Sequence, residues 1–238
     1  MRTLVLGDVH GAHKALVQVL ERCGFKPKVD RIVFVGDVAD GWPDTRECID
    51  ELLRIPNLVH LLGNHDEWFA EWARGGHPGE IWLSQGGQNT VDSYGGHRTN
   101  IPPPHLQYLH RAKAWHEEGG RIYVHGGWPW EELDHPSKCH DTDQLTWDRS
   151  LWRSALQRHA LGDKTPLTSF REVYVGHTTT TRAGFLSLPT AARSGIWIRA
   201  PVGKGDSLSW TWKPRSFGKA TSYPRCTRRK QVGDVAHD

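Results

Sequence analysis

Short apolar runs alternate with amphipathic stretches through the first two-thirds of the chain. Strand-sized runs lie at Arg2–Gly7, Arg31–Gly36 and Leu58–Gly63, and polar residues follow each of them. Between these runs, apolar residues recur every three or four positions, which predicts helices at Ala12–Cys23 and Pro43–Leu53. Strand–helix alternation of this kind predicts an α/β fold with a mostly parallel sheet, joined by right-handed crossovers.

The alternation continues less regularly in the later part of the chain. Residues 74–104 are rich in Gly, Pro, Ser and Asn, which predicts a surface loop that could close over a site. Beyond Pro189 the periodicity is lost. The pattern predicts further helices at Glu67–Ala73, Leu106–Glu117 and Asp143–His159, and further strands at Arg121–Val124 and Glu172–Val175.

Five polar clusters that contain glycine stand where predicted strands end. In chain order they read Gly7-Asp8-Val9-His10-Gly11, Gly36-Asp37-Val38-Ala39-Asp40, Gly63-Asn64-His65-Asp66, His125-Gly126-Gly127 and Gly176-His177-Thr178. The carboxyl ends of the strands are where ligands bind in α/β sheets. One such cluster is more often a turn or a helix cap, but five on successive strands favour a shared site.

The side chains of these clusters are typical ligands for a catalytic metal centre. They offer carboxylates, imidazoles and an amide carbonyl, which suit Mn²⁺, Fe or Zn²⁺ better than a soft thiolate-bound metal. Counted as two carboxylates, three imidazoles and one amide carbonyl, they give six ligands. Six ligands are too many for one catalytic ion that keeps open positions, but they suit two ions about 3.5–4 Å apart. We therefore expect two divalent metal ions, Mn²⁺ first and Fe or Zn²⁺ as alternatives, and a bridging hydroxide that attacks a phosphoester.

The motifs GDVHG, GDVAD, GNHD, HGG and GH, in this order, resemble those of the calcineurin-like metallophosphoesterases. Within that superfamily the chain is similar to the phosphoprotein phosphatase branch, which includes lambda phosphatase and the symmetric diadenosine tetraphosphatases. The resemblance implies a layered sheet–helix fold with the di-metal site at the carboxyl ends of the strands. It also implies that Asp37 bridges the two ions, with Asp8 and His10 on the first and with Asn64, His125 and His177 on the second.

The resemblance further assigns a general acid and a phosphate ligand. His65 takes the position of the acid that protonates the leaving alkoxide, and Asp40 that of the carboxylate which orients this imidazole. Gly41 and Leu62 stand where the family has arginines, and the first of these normally grips the phosphate. Arg149, in a Trp-x-Arg context, is the remaining candidate for that contact, although without the resemblance it is equally well interpreted as a solvated arginine.

Three functions remain open at this point. The resemblance favours hydrolysis of phosphomonoesters, with phosphoserine or phosphothreonine in proteins as the leading substrate class. The first alternative is a hydrolase of diadenosine tetraphosphate or other nucleotides. The second is a non-catalytic binding protein on the same fold that associates with nucleic acid through a basic tail. An intact set of ligands argues against the non-catalytic alternative.

The basic character of the chain is concentrated at its C-terminal end. The formal net charge is +3, yet residues 207–238 contain seven Lys or Arg and two Asp, so the preceding residues are slightly acidic. We divide the chain into a catalytic domain at 1–190 and an atypical basic segment at 191–238. Disorder is the favoured interpretation of that segment, and nucleic acid could bind only there. Of the residues that relatives carry after the last motif the segment keeps only Trp197, so we also hypothesise a change of reading frame near residues 185–195.

Cysteine usage and the apolar runs indicate a cytoplasmic protein. The four cysteines form no CxxC pair, which predicts free thiols. Every apolar run is far shorter than the roughly 20 residues needed to cross a bilayer, and the chain leads directly from Met1 into a strand rather than a signal peptide. We therefore expect no membrane partner.

Overall fold

The computed structural model describes residues 1–77 and 79–178, together with the backbone of a strand at Ile196–Ile198. The strands are β1 (Thr3–Leu6), β2 (Arg31–Phe34), β3 (Leu58–His60), β4 (Trp115–Glu118), β5 (Arg121–Val124), β6 (Glu172–Val175) and β7 (Ile196–Ile198). The α-helices are α1 (His13–Arg22), α2 (Thr45–Leu53), α3 (Asn64–Ala73), α4 (Glu80–Trp82), α5 (Gln88–Ser93), α6 (Pro103–Arg111), α7 (Thr142–Trp147) and α8 (Ser150–Ala160). A π-helical turn at Leu83–Gly87 joins α4 to α5.

The described strands form two sheets rather than the single, mostly parallel sheet that we expected. The first sheet has the order β1-β2-β3 and is parallel throughout. The second has the order β4-β5-β6-β7, in which only the β5–β6 pair is parallel. The pairing of β4 with β5 follows from a tight turn at Gly119 and Gly120, which both adopt positive φ.

Alternating side chains show that the two sheets pack face to face between layers of helices. Ile32 and Phe34 of β2 face a core that contains residues of α1, α2, α3 and α6. Val33, which points to the opposite side of the same strand, shares a cluster with Tyr123 of β5. The neighbouring Ile122 packs with residues of α7 and α8. The fold is therefore a layered α/β sandwich, as expected from the resemblance.

We predicted a surface loop at 74–104, and the loop is wrong for the middle of this segment, which is helical. The segment does lie at the surface, since more than half of its described residues are exposed. It contains α4, α5 and the π-helical turn, and it buries Trp82, Tyr94 and Ile101. Two of its glycines, Gly86 and Gly87, allow close packing. Gly86 adopts φ +105°, and a Cβ there would overlap the backbone of Gly41.

Three predicted helices also differ from the structure, two at an end and one by an interruption. Helix α3 begins at Asn64 rather than Glu67, so that it carries the residues of the third polar cluster. The predicted helix Leu106–Glu117 is wrong in its last part, because residues 115–118 form the edge strand β4. The predicted helix Asp143–His159 is interrupted at Asp148, whose backbone is extended and whose carboxylate accepts the Ser150 N–H.

The predictions for the C-terminal segment lie outside the described residues, apart from β7. This strand pairs antiparallel with β6 and so extends the second sheet. The domain boundary near residue 190, the frame change and the role of the basic residues therefore stay predictions. Within the described residues, no helix has the length and the apolar character that a bilayer crossing requires.

Candidate metal centre

Residues that follow β1, β2, β3, β5 and β6 come together at one edge of the two sheets. The backbone N–H groups of Val9 and His10 both donate to the carbonyl of Asp37, which ties the first polar cluster to the second. The N–H of His177 donates to Asp8 Oδ2 at 3.0 Å, which ties the fifth cluster to the first. A Cβ at Gly63 would overlap the Asp37 carboxylate, so glycine is required for this approach.

The residues expected at the second ion lie within contact distance of one another. His125 Nε2 lies 3.2 Å from Asp37 Oδ2 and 3.1 Å from Asn64 Oδ1. His177 Nδ1 lies 2.8 Å from the same Asn64 oxygen. Ligand atoms of Asp37, His125 and His177 all lie within 4.8 Å of one another, which is close enough for one cation to contact them all.

The residues expected at the first ion adjoin this group at Asp37. His10 Nε2 lies 3.6 Å from Asp37 Oδ2. Ligand atoms of His10, Asp37 and His65 also lie within 4.8 Å of one another. Asp8 accepts the N–H of His177, which belongs to the second-ion group. Burial raises the pKa of the Asp8 carboxyl group, on which the charges of Asp37 and His10 also act. Asp37 thus belongs to both groups.

The donor set fits divalent cations, as the hydrogen bonds of the imidazoles indicate. His10 Nδ1 contacts the Ala39 carbonyl at 3.0 Å, and His125 Nδ1 contacts the Val35 carbonyl at 2.7 Å. Each Nδ1 must donate to its carbonyl, which leaves Nε2 as the ring nitrogen that faces the Asp37 carboxylate. A carbonyl that fixes one ring nitrogen in this way is typical of metal-ligating histidine.

Two further observations, one at His125 and one at His177, agree with a cation beside the Asp37 carboxylate. Burial by itself would lower the pKa of His125, but the charge of Asp37 and the hydrogen bond to it raise that pKa to about 9. A proton on Nε2 is thus stabilised where a metal ion would bind. The Nε2 atom of His177 is buried and makes no hydrogen bond within the described part of the chain.

Backbone strain is concentrated in the same residues. Among the described residues, the non-glycine positions with positive φ are His10 (48°), Asp37 (60°), Asp40 (71°) and His177 (62°). This region of φ is unfavourable for residues that carry a Cβ, and it persists at functional sites because the surroundings enforce it. All four residues belong to the site that the sequence predicts.

Asp66 holds the strained loop after β2, a role that sequence reasoning missed. Its carboxylate accepts the N–H groups of Asp37, Val38 and Ala39 and also that of Gly63, at distances from 2.8 to 3.2 Å. The carboxylate is buried and so replaces water as the partner of these four donors. Its place within the third polar cluster was the available signal, since the residue lies two positions after Asn64.

His65 and Asp40 form a hydrogen-bonded pair beside the first-ion group. His65 Nδ1 lies 2.6 Å from Asp40 Oδ2, and the ring centroids of His65 and His10 lie 4.8 Å apart. Burial lowers the pKa of His65, but the hydrogen bond to Asp40 and the charge of Asp37 outweigh it and raise that pKa. Asp40 also accepts bonds from Trp82 and Thr90, which no motif in the sequence indicated.

Arg149 lies directly before α8, half-buried near the centre. Burial and the charge of Arg153 lower its pKa, and the negative charge of Asp37 opposes this effect. The aromatic rings around the site are Trp147, 5.6 Å from the His177 ring, and Trp68, 5.2 Å from His65. Burial lowers the pKa of His177 and the charge of Arg149 lowers it further, so the guanidinium lies within electrostatic range of both Asp37 and His177.

Gly41 adopts a backbone conformation that is unfavourable for the arginine that the family carries at this position. It adopts φ +79°, and a Cβ there would lie 3.1 Å from the Cβ of His10. Asn89 donates to the Gly41 carbonyl at 2.6 Å, which fixes this conformation from α5. An arginine at this position would therefore be strained in the observed backbone conformation.

Comparison with known proteins identifies the family. A model of the calcineurin-like phosphoesterases matches residues 1–162. A protein of Salmonella typhimurium named serine/threonine-protein phosphatase 1 is 37% identical over 83 residues, which are 35% of this chain and 38% of that protein. A symmetrical bis(5'-nucleosyl)-tetraphosphatase of Nitrosomonas europaea is 28% identical over 130 residues, 53% of this chain and 45% of that protein. Each match spans less than half of the relative.

A solved structure supports the fold independently. The structure is described as a cold-active protein tyrosine phosphatase, and it is similar to this chain with a TM-score of 0.51 at 18% identity, over 74% of this chain and 64% of that one. The family model matches more than half of the chain and includes every predicted site residue except His177, which the geometry brings to the others. The chain therefore belongs to the calcineurin-like phosphoesterase family, whose members are metal-dependent hydrolases.

Proposed function

We propose that this chain hydrolyses phosphomonoesters with the help of two divalent cations. The observation that carries the proposal is the packing of imidazole, amide and carboxylate ligand atoms around the Asp37 carboxylate, beside the His65–Asp40 pair. In our assignment Asp8, His10 and Asp37 hold one cation. Asp37, Asn64, His125 and His177 hold the other. Bound cations of this kind supply Lewis acidity and a nucleophilic water at neutral pH.

The residues around the cations have distinct roles in this proposal. His65 carries the proton that passes to the leaving oxygen, because its Nδ1–H is held by Asp40 and its Nε2 remains for transfer. Arg149 donates to phosphate oxygens from the edge of the cleft. Trp68 and Trp147 contact the imidazoles of His65 and His177 and limit the access of bulk water.

We place phosphoserine and phosphothreonine in proteins first among the substrates. The similarity to the Salmonella protein, whose name states such an activity, supports this class. The Nitrosomonas relative, which by its name acts on bis(5'-nucleosyl) tetraphosphates, matches a longer part of this chain and supports the nucleotide alternative. The missing arginine at Gly41 removes one phosphate contact, so weaker phosphate binding is expected with either class.

A combined metal and substrate analysis tests the proposal. Purified protein is expected to contain two equivalents of divalent metal, and with Mn²⁺ to hydrolyse p-nitrophenyl phosphate and a phosphoserine peptide faster than diadenosine tetraphosphate. His65→Ala is expected to lower kcat for the peptide about 100-fold or more, as loss of a general acid does. His110→Ala, an exposed histidine of α6, serves as the matched control.

The outcomes separate the candidate functions. Faster turnover of diadenosine tetraphosphate than of both monoesters would select the nucleotide hydrolase. A metal-loaded protein without turnover of any of the three substrates would refute the enzyme and favour a binding protein. Unchanged turnover in His65→Ala would remove this residue from the mechanism.

A further inference from the structure

The Asp40 carboxylate is buried and receives hydrogen bonds from three directions. Its Oδ2 atom accepts from His65 Nδ1 at 2.6 Å and from Trp82 Nε1 at 2.8 Å. Its Oδ1 atom accepts from the hydroxyl of Thr90 at 2.7 Å. Asp40 is fully buried, so these donors replace all the water that a carboxylate would otherwise bind. Two of the three come from the segment 80–93, far from the polar clusters in sequence.

The Thr90 hydroxyl is fully used at this position. It donates to Asp40 Oδ1 and accepts the backbone N–H of Asp40 itself at 2.8 Å. It also contacts the hydroxyl of Thr45 at 3.2 Å. A hydroxyl has one donor and two acceptor sites, so all three are engaged. Thr90 therefore holds both the side chain and the strained backbone of Asp40, whose φ is +71°.

The Trp82 indole is fixed in place by its own packing. A Cβ at Gly87 would overlap its ring, so the ring lies directly on the backbone of the π-helical turn. The Trp72 ring packs on it with centroids 6.0 Å apart. Trp82 is 2% exposed. The Nε1–H bond to Asp40 is thus held by rigid surroundings rather than by a mobile side chain.

We infer that Trp82 and Thr90 are positioning residues for His65 and act on it through the Asp40 carboxylate. The inference rests on the proposed role of His65 as proton donor. Asp40 alone could rotate about its own side-chain bonds, whereas a carboxylate held at both oxygens presents one orientation to the imidazole. Catalytic side chains need this support from surrounding hydrogen bonds to keep a productive geometry.

The inference predicts a defect that depends on the leaving group. Phenolate is a strongly basic leaving group and needs a proton, whereas p-nitrophenolate is weakly basic and departs without one. Trp82→Phe removes the indole N–H and keeps an aromatic ring. We expect this variant to lower kcat for phenyl phosphate about 10-fold and kcat for p-nitrophenyl phosphate less than 3-fold, with KM unchanged for both, since loss of such a hydrogen bond typically costs 10–100-fold.

Three comparisons separate positioning from general support of the fold. Trp128→Phe removes the same atoms from a fully buried indole whose N–H donates to the Leu133 carbonyl rather than to Asp40, and we expect equal effects on both substrates. Thr90→Val is expected to reproduce the selective loss, and Thr90→Ser to recover most of it. In the His65→Ala background, Trp82→Phe is expected to have no further effect on phenyl phosphate turnover, because both changes act on one step.

The results distinguish a failure of the inference from a failure of the proposed function. A selective loss in Trp82→Phe that disappears in the His65→Ala background supports the inference. Equal losses with both substrates, or additive losses with His65→Ala, overturn it and leave the phosphomonoesterase proposal intact. Wild-type protein that hydrolyses neither substrate refutes the proposed function and the inference together. Thermal unfolding of every variant shows whether a loss of activity follows a loss of fold.

Discussion

The Asp66 carboxylate offers the sharpest test of how the strained loop is held. In Asp66→Asn one oxygen becomes an amide group that can only donate, and it faces two backbone N–H groups. The pair affected is either Val38 and Ala39 or Asp37 and Gly63, depending on how the amide is oriented. A buried donor without a partner costs about 1–3 kcal/mol, so two give roughly 2–6 kcal/mol. Two of the four bonds are long, at 3.2 Å, and we therefore expect about 2–4 kcal/mol.

Urea unfolding of the metal-free protein, followed by tryptophan fluorescence, measures this change. The expected loss is a large fraction of the total stability of an ordinary domain, about 5–15 kcal/mol, and should lower the unfolding midpoint clearly. We also expect weaker metal binding, by about 10–100-fold, because Asp37 is no longer held in its conformation. Metal content after dialysis measures this second effect.

An exposed aspartate provides the control for Asp66→Asn. Asp92 accepts a single bond from Gln88 on the surface of α5, and Asp92→Asn is expected to change stability by less than about 0.5 kcal/mol. A loss below about 1 kcal/mol in Asp66→Asn, together with unchanged metal content, would show that the loop does not depend on this carboxylate.

Two further predictions concern pH and packing. Burial raises the pKa of Glu67 to about 7, although Thr146 donates a hydrogen bond to its carboxylate. The contribution of Glu67 to the free energy of unfolding is therefore complete below the unfolded pKa of about 4.3. We expect this contribution to fall by about 1–2 kcal/mol as the pH rises toward 7, after allowing for solvent screening. Glu67→Gln should remove this loss of stability, which urea unfolding of both proteins from about pH 4.5 to 7.5 measures. The same pH dependence of the free energy of unfolding in both proteins would contradict the prediction. Trp128→Ala empties a fully buried site and should cost about 3–5 kcal/mol, whereas exposed Trp42→Ala should cost less than about 0.5 kcal/mol in the same assay. Equal midpoints for the two variants would contradict this.

The predicted metal ligands could be found in the sequence because each lies directly after an apolar strand. Asp8, Asp37 and Asn64 follow three neighbouring strands of one sheet, and the hydrophobic pattern alone identifies those strands. The glycines beside these residues can also be found in the sequence, and Gly63 is one that allows the Asp37 carboxylate to come close to the backbone. These features depend on residues near in sequence, which is why a linear pattern contains them.

The sheet arrangement and the support of Asp40 could not be predicted in this way. Residues 115–118 fit a helical pattern locally, but pairing with β5 makes them a strand. Segment 80–93 has the composition of a loop, yet Trp82 and Thr90 are buried and bind a carboxylate more than 40 residues earlier in the chain.

The amino-acid sequence by itself determined the family, the strand-end clusters and the type of chemistry. Only the tertiary structure decided which distant groups complete the site and which backbone positions carry strain, at His10, Asp37, Asp40 and His177. The physical reason is that strand ends are marked by local polarity and turn residues, whereas hydrogen bonds to a buried carboxylate depend on how whole elements pack.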